Sequence, residues 1–210
     1  MIQEKGAVYD NCIGFLDGHF QEICRPLGDT ALHVCLPADD FYNGYEKCFG
    51  LKYIALVLAN SIVIAFGPWL GRHHDSPLLD ETGVLEQLRE VFTRTGRTWM
   101  LFGDSAFASS PFFQRMLRGA QRRLPGGRTY NKRMGSVRTS IENVFMEVYN
   151  QFQSVGFHRE LQVGSQALGK EFLVAVLLHN CQAILMGNQA SGRFGQAHLA
   201  ALTIPQLLAR

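Results

Sequence analysis

Residues 12–18 read Cys-Ile-Gly-Phe-Leu-Asp-Gly, a short apolar run that ends on an acid and a glycine. Such a run predicts a buried β-strand that places Asp17 at the lip of a sheet. The pattern returns at residues 98–104, where an apolar segment ending in Phe-Gly-Asp predicts a strand closed by Asp104. Ligands of open α/β sheets bind at the carboxyl ends of strands, so these two acids mark a candidate site.

The remaining pattern predicts a mixed α/β fold. Residues 51–58 and 62–66 are rich in β-branched and aromatic side chains and flank Ala-Asn-Ser, which indicates a β-hairpin. The other expected elements are a strand fragment at 33–36, a loop at 37–45, a helix over 75–92 weakened at Gly83, a strand at 111–117, a loop at 121–134, a helix at about 137–152, and a helix at about 165–186 that is apolar nearly all round and therefore buried. We expect one domain over residues 1–186, followed by a tail, 187–210, that could end in a short docking helix.

Composition excludes several classes of protein. A chain of 210 residues with a hydrophobic share of 47% can bury one sizeable core. No stretch is expected to be long and apolar enough to cross a bilayer. The five cysteines contain no C-x-x-C pair, which favours reduced thiols over a disulfide framework or a zinc site. A small-molecule α/β enzyme is disfavoured because the chain has no Gly-rich phosphate loop and no G-x-S-x-G motif.

The positive charge is concentrated in one block. Residues 111–140 contain no acid and eight basic residues, namely Arg115, Arg118, Arg122, Arg123, Arg128, Lys132, Arg133 and Arg138. A block of this kind can follow a phosphate backbone, because each neutralised phosphate releases counterions. The alternative is a basic loop that is simply solvated, and charge alone does not decide between them.

A third acid, Glu142, lies on a predicted helix among apolar residues. A lone buried carboxylate is costly, so an acid in this position needs a partner or a metal. Three converging carboxylates would repel one another unless divalent cations neutralised them, and hard oxygen ligands select Mg²⁺ or Mn²⁺. Two such ions can activate a water or a 3′-hydroxyl for phosphodiester chemistry. The competing interpretation is that the three acids are only cap or edge residues.

An ordered series of motifs resembles the PIF/Harbinger transposases and their DDE superfamily endonuclease relatives over about residues 11–186. The matching blocks are Asn11-Cys-Ile-Gly-Phe-Leu-Asp17-Gly, Ile23-Cys-Arg-Pro26, Tyr42-Asn-Gly-Tyr-Glu-Lys47, Leu51-Lys-Tyr53, Gly67-Pro-Trp-Leu-Gly-Arg72-His-His-Asp75-Ser76, Gly103-Asp104-Ser-Ala-Phe107, Tyr130-Asn131, Val137-Arg138-Thr-Ser-Ile-Glu142-Asn-Val-Phe145 and Leu178-His-Asn180. Each block alone is weakly specific. Their shared order and spacing make the resemblance strong.

This resemblance implies a ribonuclease-H-like mixed sheet flanked by helices and a metal-dependent nuclease that acts on DNA in the nucleus. Asp17, Asp104 and Glu142 would be the catalytic residues and would bind Mg²⁺ or Mn²⁺. Asp75 would be either a fourth metal ligand or the cap of a helix. The candidate DNA contacts are Arg72, Arg128, Lys132, Arg133 and Arg138, although Arg138 could instead orient Glu142.

Two departures from the family pattern bear on activity. The family has Thr or Ser after the first Asp-Gly pair, and this chain has His19, which could perturb the metal geometry. The helix-turn-helix region that precedes the catalytic domain in the family has no counterpart before Asp17. The chain is therefore expected to be a fragment or a decayed copy, or to rely on a separate Myb-like DNA-binding protein. A domesticated, catalytically silent domain that binds DNA or protein is the alternative to an active nuclease.

Overall fold

A computed structural model describes residues 11–26, 36–58, 61–96, 98–156 and 161–186, without the side chains of residues 136–142. The strands are β1 (Cys12–Glu22), β2 (Tyr42–Asn43), β3 (Cys48–Leu58), β4 (Val63–Leu70), β5 (Met100–Gly103) and β6 (Phe113–Arg115). The helices are α1 (Asp75–Thr82), α2 (Val84–Thr95), α3 (Gly119–Arg123), α4 (Gly127–Gln151) and α5 (Leu168–Met186).

The strands form one mixed sheet in the order β2-β3-β1-β5-β6, with β4 also paired to β3. The contacts of β3 with β1, β2 and β4 are antiparallel, whereas β5 runs parallel to both β1 and β6. The parallel pairing aligns Leu16 of β1 with Gly103 of β5. The carboxyl end of β5 therefore lies beside the middle of β1.

Helices cover both faces of this sheet, which confirms the predicted mixed α/β class. On β3, Tyr53, Ala55 and Val57 pack with α4 and α5, whereas Ile54 and Leu56 pack with α1 and α2. We call the first side the α4/α5 face and the second the α1/α2 face. The alternation follows from the pleat of a strand, in which successive side chains point to opposite sides.

Several sequence predictions are confirmed. β3 and β4 form the expected antiparallel hairpin, and strands occur where residues 98–104 and 111–117 predicted them. The helical segment over 75–92 is divided at Gly83, whose backbone has a φ of 64°. A glycine tolerates this left-handed conformation at the end of a helix without a steric penalty. The strand fragment expected at 33–36 lies largely outside the described residues, as does the tail 187–210.

The longest segment that was predicted wrongly is residues 121–134, most of which is helical rather than a loop. Gly126 has a φ of 83° and precedes α4, which therefore begins ten residues before the predicted start at Val137. Pro125 and two glycines suggested a loop, but they only separate the short α3 from α4. Arg and Lys are good helix formers, and buried Met134 anchors this part of α4 to the core.

Two other expectations are wrong in extent. β1 does not end at Asp17 but continues to Glu22, and the segment expected to be a loop at 37–45 contains a 3₁₀ helix, Ala38–Phe41, and β2. The residues after Asp17 stay in the strand because His19 and Gln21 are held on the α4/α5 face by hydrogen bonds to Tyr149 and to the carbonyl of Val155.

α5 is buried on one side only, which corrects the expectation of a wholly buried helix. Phe172, Ala175, Val176 and His179 face the core. Large exposed residues occupy the other side, namely Val174, Leu177, Leu178, Leu185 and Met186. By length and composition alone, this helix is also apolar enough to cross a membrane, with a mean hydropathy of 1.3. The expectation that no stretch is long and apolar enough to cross a bilayer is therefore wrong as a statement about length and composition.

Candidate active site

Asp17 and Asp104 lie side by side at one place on the sheet. Each is the residue directly after the last aligned pair of β1 and β5, Leu16 and Gly103. Neighbouring strands are about 4.8 Å apart, so the two backbones bring both acids within reach of a shared ligand. Asp17 is aligned with Ala55, which belongs to the α4/α5 face. Alternation along β5 carries Asp104 to the same face as Phe102.

Local hydrogen bonds hold both carboxylates, and both side chains are half-buried. Oδ1 of Asp17 accepts a bond of 3.1 Å from the backbone N–H of Gly18. Asp104 accepts bonds from the Ser105 hydroxyl (3.2 Å) and from the backbone N–H of Ala106 (3.3 Å). Both residues are partly exposed to solvent, and carboxylate oxygens are the donors that Mg²⁺ and Mn²⁺ prefer.

The backbone of α4 carries position 142 toward these acids. Tyr149 lines one cavity with Gln21 and Glu22, near the end of β1, and Phe145 stacks on His19 one turn earlier. Successive turns of α4, taken toward its N-terminus, therefore move along β1 toward Asp17. Position 142 is three residues before Phe145, about 4.5 Å along the helix axis. Position 142 thus lies about one turn beyond Phe145 in the direction of Asp17, and the side chain of Glu142 is outside the described part of the chain.

Asp75 lies under the other face of the sheet. Its Oδ1 binds Nζ of Lys52 at 2.6 Å, with side-chain exposures of 31% and 13%. A Cβ placed on Gly18 would come within 2.7 Å of its Oδ2, so the carboxylate sits against the α1/α2 face of β1. Asp17, the preceding residue, points to the opposite side. The cap interpretation is wrong, because His74 is the N-cap of α1 and no side chain makes a capping hydrogen bond there.

Asp75→Asn is expected to lower stability without weakening metal binding. Lys52 would lose its carboxylate partner, and we expect a cost of about 1–2 kcal/mol after allowing for partial exposure. Urea unfolding measures this cost, and a Mn²⁺ titration measures the metal affinity. Asp80→Asn, an exposed change on the same helix, is the matched control. A loss of Mn²⁺ affinity as large as that of Asp104→Asn would contradict this placement.

Arg115 is a structural residue that the sequence analysis placed in a basic track. Its Nη1 donates to the carbonyls of Ser105 (3.3 Å) and Phe107 (3.1 Å), in the turn that follows Asp104. The Tyr130 hydroxyl in turn donates to the carbonyl of Arg115 at 3.5 Å. Arg115 therefore joins the turn that carries Asp104 to β6 and α4. The charge of Arg115 fits both a structural role and phosphate binding. Its contacts with the two carbonyls are what identify the structural role.

The other predicted DNA contacts divide into two groups. Arg128, Lys132 and Arg133 are exposed on the first turns of α4, beside exposed residues of α3 that include Arg122 and Arg123. We call these five residues the basic face. Asn131 holds this end of α4 in place, because its amide donates to and accepts from the backbone of Leu117 at 2.9 Å.

The second group consists of Arg72 and Arg138, which are not part of the basic face as defined above. Arg72 binds Asp40 at 3.0 Å and keeps a 69% exposed side chain. The side chain of Arg138 lies outside the described part of the chain. The contact with Asp40 therefore places Arg72 outside the basic face, and the role predicted for Arg138 stays a prediction.

His19 is enclosed by aromatic rings rather than directed at a metal position. Its imidazole stacks on Phe145 and Phe172, and its Nε2 shares a hydrogen bond of 2.5 Å with the hydroxyl of Tyr149. Desolvation lowers the pKa of His19 to about 3 and raises the pKa of Tyr149 above its usual value. Both groups are therefore neutral near pH 7.

His179 is a second desolvated imidazole. It is 1% exposed, and its Nδ1 bonds Oε1 of Gln151 at 3.0 Å. Its Nε2 finds no hydrogen-bond partner within the described ranges. Burial lowers the pKa of His179, because a proton on Nε2 would add a charge with no acceptor. The next residue, Asn180, is paired with β4, because its Oδ1 accepts from the N–H of Val63 and its Nδ2 donates to the carbonyl of Val63.

These two imidazoles make stability fall on mild acidification. Their folded pKa values lie below the ordinary 6.5, so the unfolded chain binds more protons below that pH. For each histidine, the contribution to the free energy of unfolding is fully present above pH 6.5, the pKa in the unfolded chain. It is lost as the pH falls from 6.5 toward the lower pKa of the folded state. Melting temperatures between pH 7.5 and 5.5 test this, and His179→Met should flatten the slope. His73→Gln, at an exposed position, should leave it unchanged. A parent melting temperature that stays constant over this range would contradict the prediction.

No cluster of three metal-ligating side chains occurs among the residues whose side chains are described, a set that excludes Glu142. The structural roles of three residues near the site, Lys52, Arg115 and Tyr149, were not predicted from the sequence. One signal was present, because the period-two pattern Phe15, Asp17, His19, Gln21 continues past the point where the strand was expected to end.

Comparison with known families identifies the family of the chain. The sequence model described as DDE superfamily endonuclease matches residues 17–180, from Asp17 itself to Asn180 in α5. No curated protein and no solved structure matches the chain. Because the match spans well over half of the 210 residues, the chain belongs to the DDE superfamily endonuclease family.

Proposed function

We propose that the chain is a divalent-metal-dependent DNA nuclease of the transposase type, with Asp17, Asp104 and Glu142 as its metal ligands. The observation that carries this proposal is the alignment of Leu16 with Gly103, which makes Asp17 and Asp104 neighbours on parallel strands. Two carboxylates so close together repel each other unless a cation lies between them. The turn of α4 that contains Glu142 approaches the same face of the sheet.

The donor set suits Mg²⁺ or Mn²⁺, because it consists of carboxylate oxygens with no thiolate or imidazole among them. When bound, such ions supply Lewis-acid stabilisation of the charge that develops on a phosphodiester during cleavage. The protein residues supply the rest. Asp17 and Asp104 would hold the ions beside the carboxyl end of β5, Arg115 fixes the turn that carries Asp104, and the basic face would contact phosphates.

The finer assignments are part of the same proposal. A ribonuclease-H-like arrangement is supported by three features of the mixed sheet. One acid lies in mid-strand, a second follows the parallel neighbouring strand, and a helix packs on the same face. The ordered motifs support the PIF/Harbinger branch of the family. A Myb-like DNA-binding partner and a nuclear location follow from that branch.

A plasmid nicking assay tests the proposed activity. Supercoiled DNA should become open circular when Mg²⁺ or Mn²⁺ is present and remain supercoiled when EDTA chelates the divalent ions. Nicking should return when the metal is restored. DNA that is never nicked at any Mg²⁺ or Mn²⁺ concentration, by a folded protein that still binds DNA, would instead favour the silent binding domain.

The basic face predicts a specific salt dependence of DNA binding. Replacing Arg128, Lys132 and Arg133 by Gln should weaken binding to all sequences alike and reduce the slope of log K against log salt by about 0.9 per lost phosphate contact. Fluorescence anisotropy with a labelled duplex measures both quantities. Exposed Lys170 of α5 offers the control change Lys170→Gln. An unchanged slope in the triple variant would remove the basic face from the DNA-binding surface.

A further inference from the structure

The imidazole of His19 is inserted between two helices. Its ring lies 4.4 Å from that of Phe145 on α4, with 14° between the planes, and 5.0 Å from that of Phe172 on α5, with 10° between the planes. Phe172 is fully buried and Phe145 is 7% exposed. Two parallel ring contacts on opposite sides of one side chain fix its position more tightly than either contact alone.

A hydrogen bond adds direction to this packing. Nε2 of His19 and the hydroxyl of Tyr149 are 2.5 Å apart. Phe145 and Tyr149 are four residues apart and therefore lie on the same side of α4. α4 consequently contacts His19 at two successive turns. The stacked ring resists movement of the helix away from the sheet, and the hydrogen bond resists sliding along β1.

These contacts lie next to the proposed metal ligands on both elements. His19 is two residues after Asp17 on the same face of β1, and Phe145 is three residues after position 142 on α4. A shift of α4 along β1 would therefore move Glu142 relative to Asp17 by the same amount. Metal sites lose affinity when their ligands are held less accurately, because the supporting residues set the ligand geometry.

We infer that His19 is a positioning residue that holds α4 in register with β1, so that the α4 turn carrying position 142 keeps a fixed place along β1 relative to Asp17. It does this through Phe145, Phe172 and Tyr149 and is not itself a metal ligand. The inference rests on the proposed metal site.

The test compares His19→Thr with His19→Phe in the full chain. His19→Thr removes both stacks and the bond, whereas His19→Phe keeps an aromatic ring between the helices. Aromatic pairs contribute about 0.5–1.5 kcal/mol each, so His19→Thr should speed amide exchange in α4 by about tenfold or more. The half-saturating Mn²⁺ concentration, measured by calorimetry, should also rise about tenfold, and His19→Phe should restore both to within about threefold.

Phe92→Ala is the matched control. Phe92 is 3% exposed on α2 and packs edge-on against Phe112, remote from α4. It should lower the melting temperature at least as much as His19→Thr while leaving α4 exchange and Mn²⁺ affinity unchanged. This separates positioning from general loss of stability.

Three results would overturn the inference in distinguishable ways. Faster α4 exchange with unchanged Mn²⁺ affinity would show that His19 only packs. Exchange no faster in His19→Thr than in Phe92→Ala would remove the contact between β1 and α4 as a constraint. A parent protein that binds no Mn²⁺ would refute the proposed metal site and with it the positioning role, while the exchange data would still judge the contact itself.

Discussion

Asp104→Asn is expected to lower metal-dependent DNA nicking by about 10³-fold, since the metal contributes several kcal/mol of transition-state stabilisation and each 1.36 kcal/mol is tenfold in rate. The amide keeps the size of the side chain, and one of its two oxygens is lost as a charged ligand. With its oxygen toward the Ala106 N–H and its NH2 group toward the Ser105 hydroxyl oxygen, which can also accept, the amide can keep both local hydrogen bonds, so the turn should keep its shape.

The assay for this variant is single-turnover nicking of supercoiled plasmid over a range of Mg²⁺ concentrations. Glu90→Gln is the control, because it makes the same chemical change at an exposed position of α2. The control should nick at the parent rate. Equal nicking by Asp104→Asn and the parent would show that the activity does not depend on this carboxylate, or that a contaminating nuclease produced it.

Gly103→Ala is expected to damage both the fold and the site. A Cβ at this position would lie 2.6 Å from the carbonyl oxygen of Leu16 and 2.6 Å from the ring of Phe113. The first neighbour is backbone and cannot rotate away, so β1 and β5 must separate where Asp17 and Asp104 meet. Overpacking of this kind costs about 1–3 kcal/mol, and we expect the upper end because a strand pair must move.

Gly135→Ala provides the matched control within α4. Its added Cβ would meet only the Met116 methyl at 3.7 Å, an ordinary contact. Alanine in a helix interior should stabilise the protein by about 0.5–1 kcal/mol. Denaturant unfolding should therefore show a gain in stability, opposite to the loss in Gly103→Ala, and nicking should stay at the parent rate. A Gly103→Ala protein with parental stability and activity would contradict the close approach of the two strands.

The parts of this account that sequence could predict are those set by local pattern. An apolar run ending in Gly-Asp marks the end of β5 at Asp104, and β-branched runs around a turn mark the β3–β4 hairpin. The extent of α4 was not predictable in the same way, because Pro125 and neighbouring glycines suggest a loop. Only packing of Tyr130 and Met134 against the sheet shows that helix continues through the basic residues.

Contacts between distant segments account for the other differences. Nothing near Asp75 indicates that Lys52, 23 residues earlier, binds its carboxylate under Gly18. His19 seemed a disturbance of the site because its partners, Tyr149 and Phe172, are more than a hundred residues away. The exposed side of α5 was also unpredictable, since an all-apolar helix carries no pattern that separates a buried face from an open one.

Localised cleavage by bound iron tests the central claim most directly. Fe²⁺ replaces Mg²⁺ at oxygen sites, and with ascorbate and peroxide it generates radicals that cut the polypeptide close to the ion. The account predicts cuts near residues 17, 104 and 142, which excess Mg²⁺ suppresses and Asp104→Asn abolishes. Cuts concentrated elsewhere, or cuts near residues 17 and 104 with none in the α4 turn around 142, would contradict a site built from these three acids.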